Sequence, residues 1–215
     1  ITIKSGGYML YDRDIREPLF EFLEFKFGKN RIIEEKKMGK SRADVVMVLP
    51  EEIVGIEIKS DADTYVRLSR QVKDYDLHFD RNYIVIGSTH STHIEKYVPE
   101  YWGIISVEEM ENNTDFYVLR EAKKNSKLVL INKLKIIWRP ELAHIQELNQ
   151  LPMYKQKSKE FVIEKIIEKV PIDILQGQLS EELFQRDYNA IAETIQNYRL
   201  ENGKKKRRKN RKLYK

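Results

Sequence analysis

The run Ile53-Val54-Gly55-Ile56-Glu57-Ile58-Lys59-Ser60 carries a carboxylate and an ammonium two residues apart. Strand alternation puts Val54, Ile56 and Ile58 on one face and Gly55, Glu57 and Lys59 on the other. Thirteen residues before Glu57, Asp44 opens a second apolar run, Val45-Val46-Met47-Val48-Leu49. An acid there stands at the mouth of the neighbouring strand, where it can approach Glu57. Two carboxylates and the main-chain carbonyl of Ile58 form a hard oxygen site suited to Mg2+ or Mn2+. A lysine beside such an ion can orient or deprotonate water and offset charge on a phosphate. Metal-assisted phosphodiester hydrolysis needs little more. Taken singly, Glu-x-Lys on an exposed strand is a solvated face, and Asp44 is an ordinary strand-entry residue.

The elements that must position these residues follow from periodicity. Helical spacing over 12–27 puts Ile15, Leu19, Phe22, Leu23 and Phe27 on one side, with Gly28 as a stop. Strands are expected at 31–38, 43–49 and 53–60, separated by Gly39-Lys40-Ser41 and Pro50-Glu51-Glu52. A helix is expected over 63–79, on which Leu68, Val72, Tyr75 and Phe79 form the apolar stripe. Arg67, Gln71, Asp74 and His78 form a polar stripe on the same helix. Further strands are expected at 82–88, 102–107 and 116–120, with a short helix near 94–97. After residue 127 the pattern is helical, over 128–151, 157–170 and 180–200. Pro140, Pro152 and Pro171 break it, with Ser180 as N-cap and Gly203 as stop. The order implies a mixed α/β body followed by helices.

These residues and this order resemble the PD-(D/E)XK nuclease superfamily. The resemblance rests on Asp44 in Arg42-Ala43-Asp44-Val45-Val46, on Glu57-Ile58-Lys59, and on the helix, three-strand, helix, strand succession. Ala43 stands where the motif's proline would be. Gln71-Val72-Lys73-Asp74-Tyr75 is similar to the Gln-x-x-x-Tyr element of RecB-like and exonuclease members. The stretch 55–63, with Arg67-Leu68 and Gln71, looks like a little-characterised bacterial and phage branch that carries a C-terminal helical module. Trp138-Arg139-Pro140-Glu141-Leu142 fits that branch too. The resemblance implies a restriction-endonuclease-like core over about 10–110 and a phosphodiesterase cutting DNA ahead of RNA. In it Asp44, Glu57 and the Ile58 carbonyl would hold Mg2+ or Mn2+, Lys59 would position water, and Gln71 would support the site. Members often carry another acid on the first helix. Glu17 is preferred, ahead of Asp14 and Glu21, although an acidic solvent face explains all three. Arg67 and Tyr75 are auxiliary candidates, with solvent and core packing as their ordinary roles. Glu34 or Glu35 on the first strand should face the cleft side, although edge-strand charge is the commoner explanation.

The chain has 39 Lys plus Arg against 34 Asp plus Glu, a net charge of +5. Residues 204–215 hold nine of the basic residues and no acid, which leaves 30 against 34, or −4, before them. The basic pI is therefore local, and the body needs its own basic cleft, for which Lys40, Arg42, Arg67 and Arg70 are placed. Lys204, Lys205, Lys206, Arg207, Arg208, Lys209, Arg211 and Lys212 read as a disordered, sequence-independent tether for nucleic acid. A solubility tail or an acidic partner's dock is the alternative. With no cysteine, disulfides, thiolate zinc sites and cysteine nucleophiles are excluded. His90 and His93 read as a helix start, and Trp102 and Trp138 as core or interface anchors. No apolar run spans a membrane, so a cytoplasmic protein is expected. The expected division is 1–8 as a leader remnant, 9–125 as the nuclease-like domain, 126–203 as a helical module and 204–215 as the tail. The helical module would clamp substrate, dimerise or recruit a partner. A nuclease-like fold that binds nucleic acid or protein without cutting is the second reading of the whole.

Overall fold

The computed structural model describes residues 11–61, 63–87, 93–110 and 113–186. The expectations placed on 1–8, His90, the far part of 180–200, Gly203 and the tail 204–215 lie outside the described residues. The chain divides into two compact units, Ile1–Phe184 and Gln185–Lys215, and the sheet with its covering helices belongs to the first.

Six strands form one mixed sheet in the order β1-β2-β3-β4-β5-β6. They are β1 (Arg31–Met38), β2 (Ser41–Val48), β3 (Ile53–Lys59), β4 (Arg81–Gly87), β5 (Gly103–Met110) and β6 (Asn113–Arg120). The first three form an antiparallel meander, β3, β4 and β5 are parallel, and β6 returns antiparallel. The helices are α1 (Asp12–Phe27), α2 (Leu68–Asp76), α3 (Leu130–Leu134), α4 (Arg139–Leu148), α5 (Lys159–Lys169) and α6 (Ile172–Gln185). A 3-10 turn, Tyr65–Arg67, leads into α2. The α/β class and the helical C-terminal part are as the periodicity implied.

Alternation along the strands builds two cores. Val54, Ile56 and Ile58 pack with Ile15, Leu19 and Leu23 of α1. The opposite face, with Val46, Ile84, Ile86 and Ile104, packs under Tyr75 and Phe79 and under Leu134, Leu142, Ile145, Ile163, Ile166, Leu175 and Leu179. The later helices thus share a core with the sheet, and covering both faces makes every residue of β3 buried. Lys133 of α3 forms an ion pair with Asp80 at 2.6 Å, and Asp80 also accepts the Ile53 N–H at 2.7 Å, which ties α3 to the start of β3.

Gly55 sets how closely α2 approaches the sheet. A Cβ there would lie 2.3 Å from the Phe79 ring and 2.6 Å from the Tyr75 ring. Gly55→Ala is expected to cost about 1–3 kcal/mol through this overpacking, read as a lowered urea midpoint at unchanged slope. The Tyr75 ring carries a hydroxyl that reaches Glu57 at 2.8 Å, so the same overpacking would disturb that bond.

Two helix starts differ from expectation. Pro140 sits in the first turn of α4, where its missing N–H costs nothing. Ser180 is not an N-cap but lies within α6, 1% exposed, because that helix begins directly after Pro171. Among the described residues no helix is long and apolar enough to cross a membrane.

Candidate active site

The β2–β3 ladder runs from Val48↔Ile53 to Val45↔Ile56 and stops. One step further in the same register, Asp44 stands opposite Glu57, on the face that α2 covers. Residues in that relation have Cβ atoms about 5 Å apart. At this fork the Asp44 carboxylate accepts the Ile58 N–H at 2.9 Å. Asp44 is thus held to the strand position that follows Glu57.

Glu57 is 0% exposed and Lys59 is 4% exposed, so this Glu-x-Lys is not a solvated face. A buried carboxylate needs several donors. Glu57 Oε1 receives Lys59 Nζ and the Gln71 side-chain amide, and Oε2 receives the Tyr75 hydroxyl at 2.8 Å. Tyr75 was legible as a core residue of the α2 stripe, and it is fully buried. Its hydroxyl does more. It also lies 3.1 Å from the Ile56 carbonyl and accepts the Asp44 N–H at 3.2 Å, so one oxygen touches both arms of the fork.

These residues open into a cleft of about 580 Å3. Its walls include Asp12 and Arg16 of α1, Glu35 and Lys37 of β1, Lys40 in the turn, Arg42 of β2, and Arg67, Arg70 and Gln71 of the α2 region. Among the described residues, Lys37, Lys40, Arg67 and Arg70 have no ion-pair or hydrogen-bond partner, and all four are exposed. Arg42 pairs with Glu35. The basic rim expected from Lys40, Arg42, Arg67 and Arg70 is therefore assembled, and Lys37 joins it.

Glu17 is a correction. It is exposed and does not line the cleft, whereas Asp12 and Arg16 do. Glu17 lies five helical positions after Asp12, a rotation that turns the later acid away. Asp14 and Glu21 are likewise absent from the lining. Arg16, which no motif marked, donates to Asp12 at 2.7 Å, Glu34 at 3.1 Å, Glu35 at 2.8 Å and the Asp44 carbonyl at 3.2 Å. Glu35 faces the cleft as one of the β1 acids was expected to, and its φ of 54° places it in the left-handed region. For a residue with a side chain that costs roughly 1–2 kcal/mol.

Burial, and then the proximity of Glu57, push the Asp44 carboxyl up to about 7 from 3.8. Its Oδ1 has no hydrogen-bond partner among the described residues. A divalent cation would offset the repulsion and use the spare lone pairs on both acids. Among the described residues no three His, Asp or Glu side chains converge as a metal cage. A two-carboxylate set with a nearby carbonyl fits an ion that keeps its waters, such as Mg2+ or Mn2+.

Among the described residues the histidines do not form such a site: His93 is exposed at the start of a 3-10 turn, and His78 is buried against the Asp74 carbonyl at 2.7 Å. Trp102 is a core anchor whose indole N–H donates to Asp76 at 2.9 Å, and Trp138 is half-buried at the start of α4.

No curated protein matches this chain. Among solved structures, SfsA of Pyrococcus furiosus in complex with Ca2+ is similar, at 15% identity and a TM-score of 0.33. The match covers 51% of this chain and 62% of that one, so the chain spans less than two thirds of that protein's length. Residues 9–209, nearly the whole sequence, match the family described as Bacteriophage P4 protein cII, and the chain belongs to that family.

Proposed function

We propose that this protein is a metal-dependent nuclease of the PD-(D/E)XK type, hydrolysing phosphodiester bonds in nucleic acid, DNA ahead of RNA. The observation that carries the reading is the cluster of three donors, Lys59, Gln71 and Tyr75, on a fully buried Glu57 set opposite Asp44. Burying a carboxylate and an ammonium together is costly for stability alone, so the cluster is better explained by chemistry than by fold.

Asp44, Glu57 and the Ile58 carbonyl would hold Mg2+ or Mn2+. Once bound, the ion would polarise the scissile phosphate and make water more acidic. Lys59 would orient the attacking water and offset charge as the P–O bond breaks. Gln71 and Tyr75 keep Glu57 from turning. The unpaired cations Lys37, Lys40, Arg67 and Arg70 around the cleft would take the phosphates flanking the cut. The 204–215 tail would add a sequence-independent tether, and the helices after residue 126 a surface for a second copy or a partner.

Three results test this. Mn2+ titrated calorimetrically should bind the parent protein and fail to bind Asp44→Asn; equal binding to both would remove the metal assignment. Each of Lys37→Ala, Lys40→Ala, Arg67→Ala and Arg70→Ala should lower the slope of log affinity against log salt by about 0.7–0.9. Turnover at saturating DNA should stay near the parent's. Deleting 204–215 should flatten the slope further without touching metal uptake. A non-catalytic binding module is the alternative, and it predicts the salt slopes without the Mn2+ uptake.

A further inference from the structure

The Asp44 main chain is held by side chains rather than by ladder partners. On the β1 side the ladder pairs Glu34 with Val45 and Lys36 with Ala43, but omits Glu35 and Asp44 between them. The omission coincides with the left-handed backbone of Glu35. Asp44 gives its N–H to the Tyr75 hydroxyl, receives Arg16 on its carbonyl and receives the Ile58 N–H on its carboxylate. Arg16 comes from α1, with a side chain 14% exposed, and spans Asp12, Glu34, Glu35 and Asp44 with its three nitrogens. Glu35 is gripped from the other side by Arg42.

We infer that Arg16 is the positioning residue of this site: it bridges the gap in the β1–β2 ladder, fixes the Asp44 main chain so that its carboxylate faces Glu57, and holds the Glu35 carboxylate aside. The inference rests on reading Asp44 as a metal ligand. Carried into the gap, the flanking register would set Glu35, Asp44 and Glu57 in one row across three strands. Three carboxylates in a row repel one another. The Arg16 fork removes one of them from the row and anchors the next.

Arg16→Lys separates geometry from charge. Lysine keeps the positive charge, but its single nitrogen cannot meet Asp12, Glu35 and the Asp44 carbonyl together. In the metal-free protein, amide hydrogen exchange at Asp44 and Ile58 should become about tenfold faster, while core amides such as Ile84 and Ile105 keep their rates. Mn2+ affinity should fall about 10- to 100-fold, as for other residues that orient ligands. Unchanged exchange at Asp44 and Ile58 would overturn the inference, as would acceleration shared equally by the core amides. If the parent binds no Mn2+, the nuclease reading fails, while the exchange rates still decide the positioning role. Should Arg16→Lys not fold, Glu35→Gly serves, since glycine adopts φ +54° freely and removes one end of the grip. The same two amides should then accelerate, by less; their constancy would equally overturn the inference.

Discussion

Asp44→Asn is expected to lose metal-dependent cleavage by roughly a thousandfold or more, about 4 kcal/mol of transition-state stabilisation, and yet to make the metal-free protein more stable at pH 8. Asparagine keeps an oxygen for the Ile58 N–H and removes the charge that opposes Glu57. The pH dependence follows from linkage. The Asp44 carboxyl titrates near 7 when folded and near 3.8 otherwise. Between those values the folded protein holds a proton that the unfolded chain has released. Its contribution to stability is present below about pH 4 and is lost as pH rises through about 7, on the order of a few kcal/mol in all. Thermal midpoints of parent and Asp44→Asn should therefore nearly coincide at pH 4. At pH 8 the variant should melt roughly 3–10 °C higher. Adding Mg2+ at pH 8 should raise the parent's midpoint and leave the variant's alone. Coincident midpoints at both pH values would mean that neither burial nor Glu57 raises the Asp44 carboxyl.

The second large effect belongs to Glu57 and Lys59. Glu57→Ala leaves the Lys59 ammonium, 4% exposed, without its ion-pair partner, and strips the acceptor from Gln71 and from Tyr75. Breaking a buried pair from one side costs about 3–5 kcal/mol, here roughly 10 °C or more in thermal midpoint. Lys59→Met keeps the stem's packing, and Glu57 retains two donors, so the loss of stability should be smaller. Cleavage by Lys59→Met should nonetheless fall to background. Combining Glu57→Ala with Lys59→Met should recover part of the stability lost in Glu57→Ala. That coupling, measured as a double-mutant cycle, separates the cost of an orphaned charge from the loss of packing. A double variant less stable than Glu57→Ala would mean that Lys59 is paired elsewhere.

Much of this site was legible because strand alternation is a strict rule. It put Glu57 and Lys59 on one face, and the α2 stripe put Gln71 and Arg67 on the side that meets them. α1 was legible to the residue, since Ile15, Leu19 and Leu23 mark its buried face, but its acids were not. Glu17 and Glu21 look as suitable as Asp12 until the axial rotation of the helix over the sheet is known. Arg16 and the left-handed backbone of Glu35 were hidden for a deeper reason. Glu34-Glu35-Lys36 reads as uniform strand, and nothing local announces a left-handed residue or the ladder gap beside it. Those features arise from pairing between β1, β2 and α1, which no single window contains. Tyr75 was half legible: its spacing gave the core ring, while its hydroxyl finds partners only because β2 and β3 part at Asp44 and Glu57. In α6, Gly177 weakened the helical pattern and made Ser180 look like a start, although nothing crowds that glycine and the helix runs through it.

Whether Asp44, Glu57 and Lys59 cut nucleic acid with a divalent cation is decided most directly by a cleavage assay. The purified protein is incubated with supercoiled, linear and single-stranded DNA and with RNA, with Mg2+ or Mn2+ and with chelator. Asp44→Asn and Lys59→Met, each shown to be folded, run beside it. The expected result is cleavage of at least one DNA substrate by the parent with metal, and none with chelator or with either variant. Cleavage that persists in both variants, or a parent that cuts no substrate under any of these conditions, would contradict metal-dependent catalysis at this site.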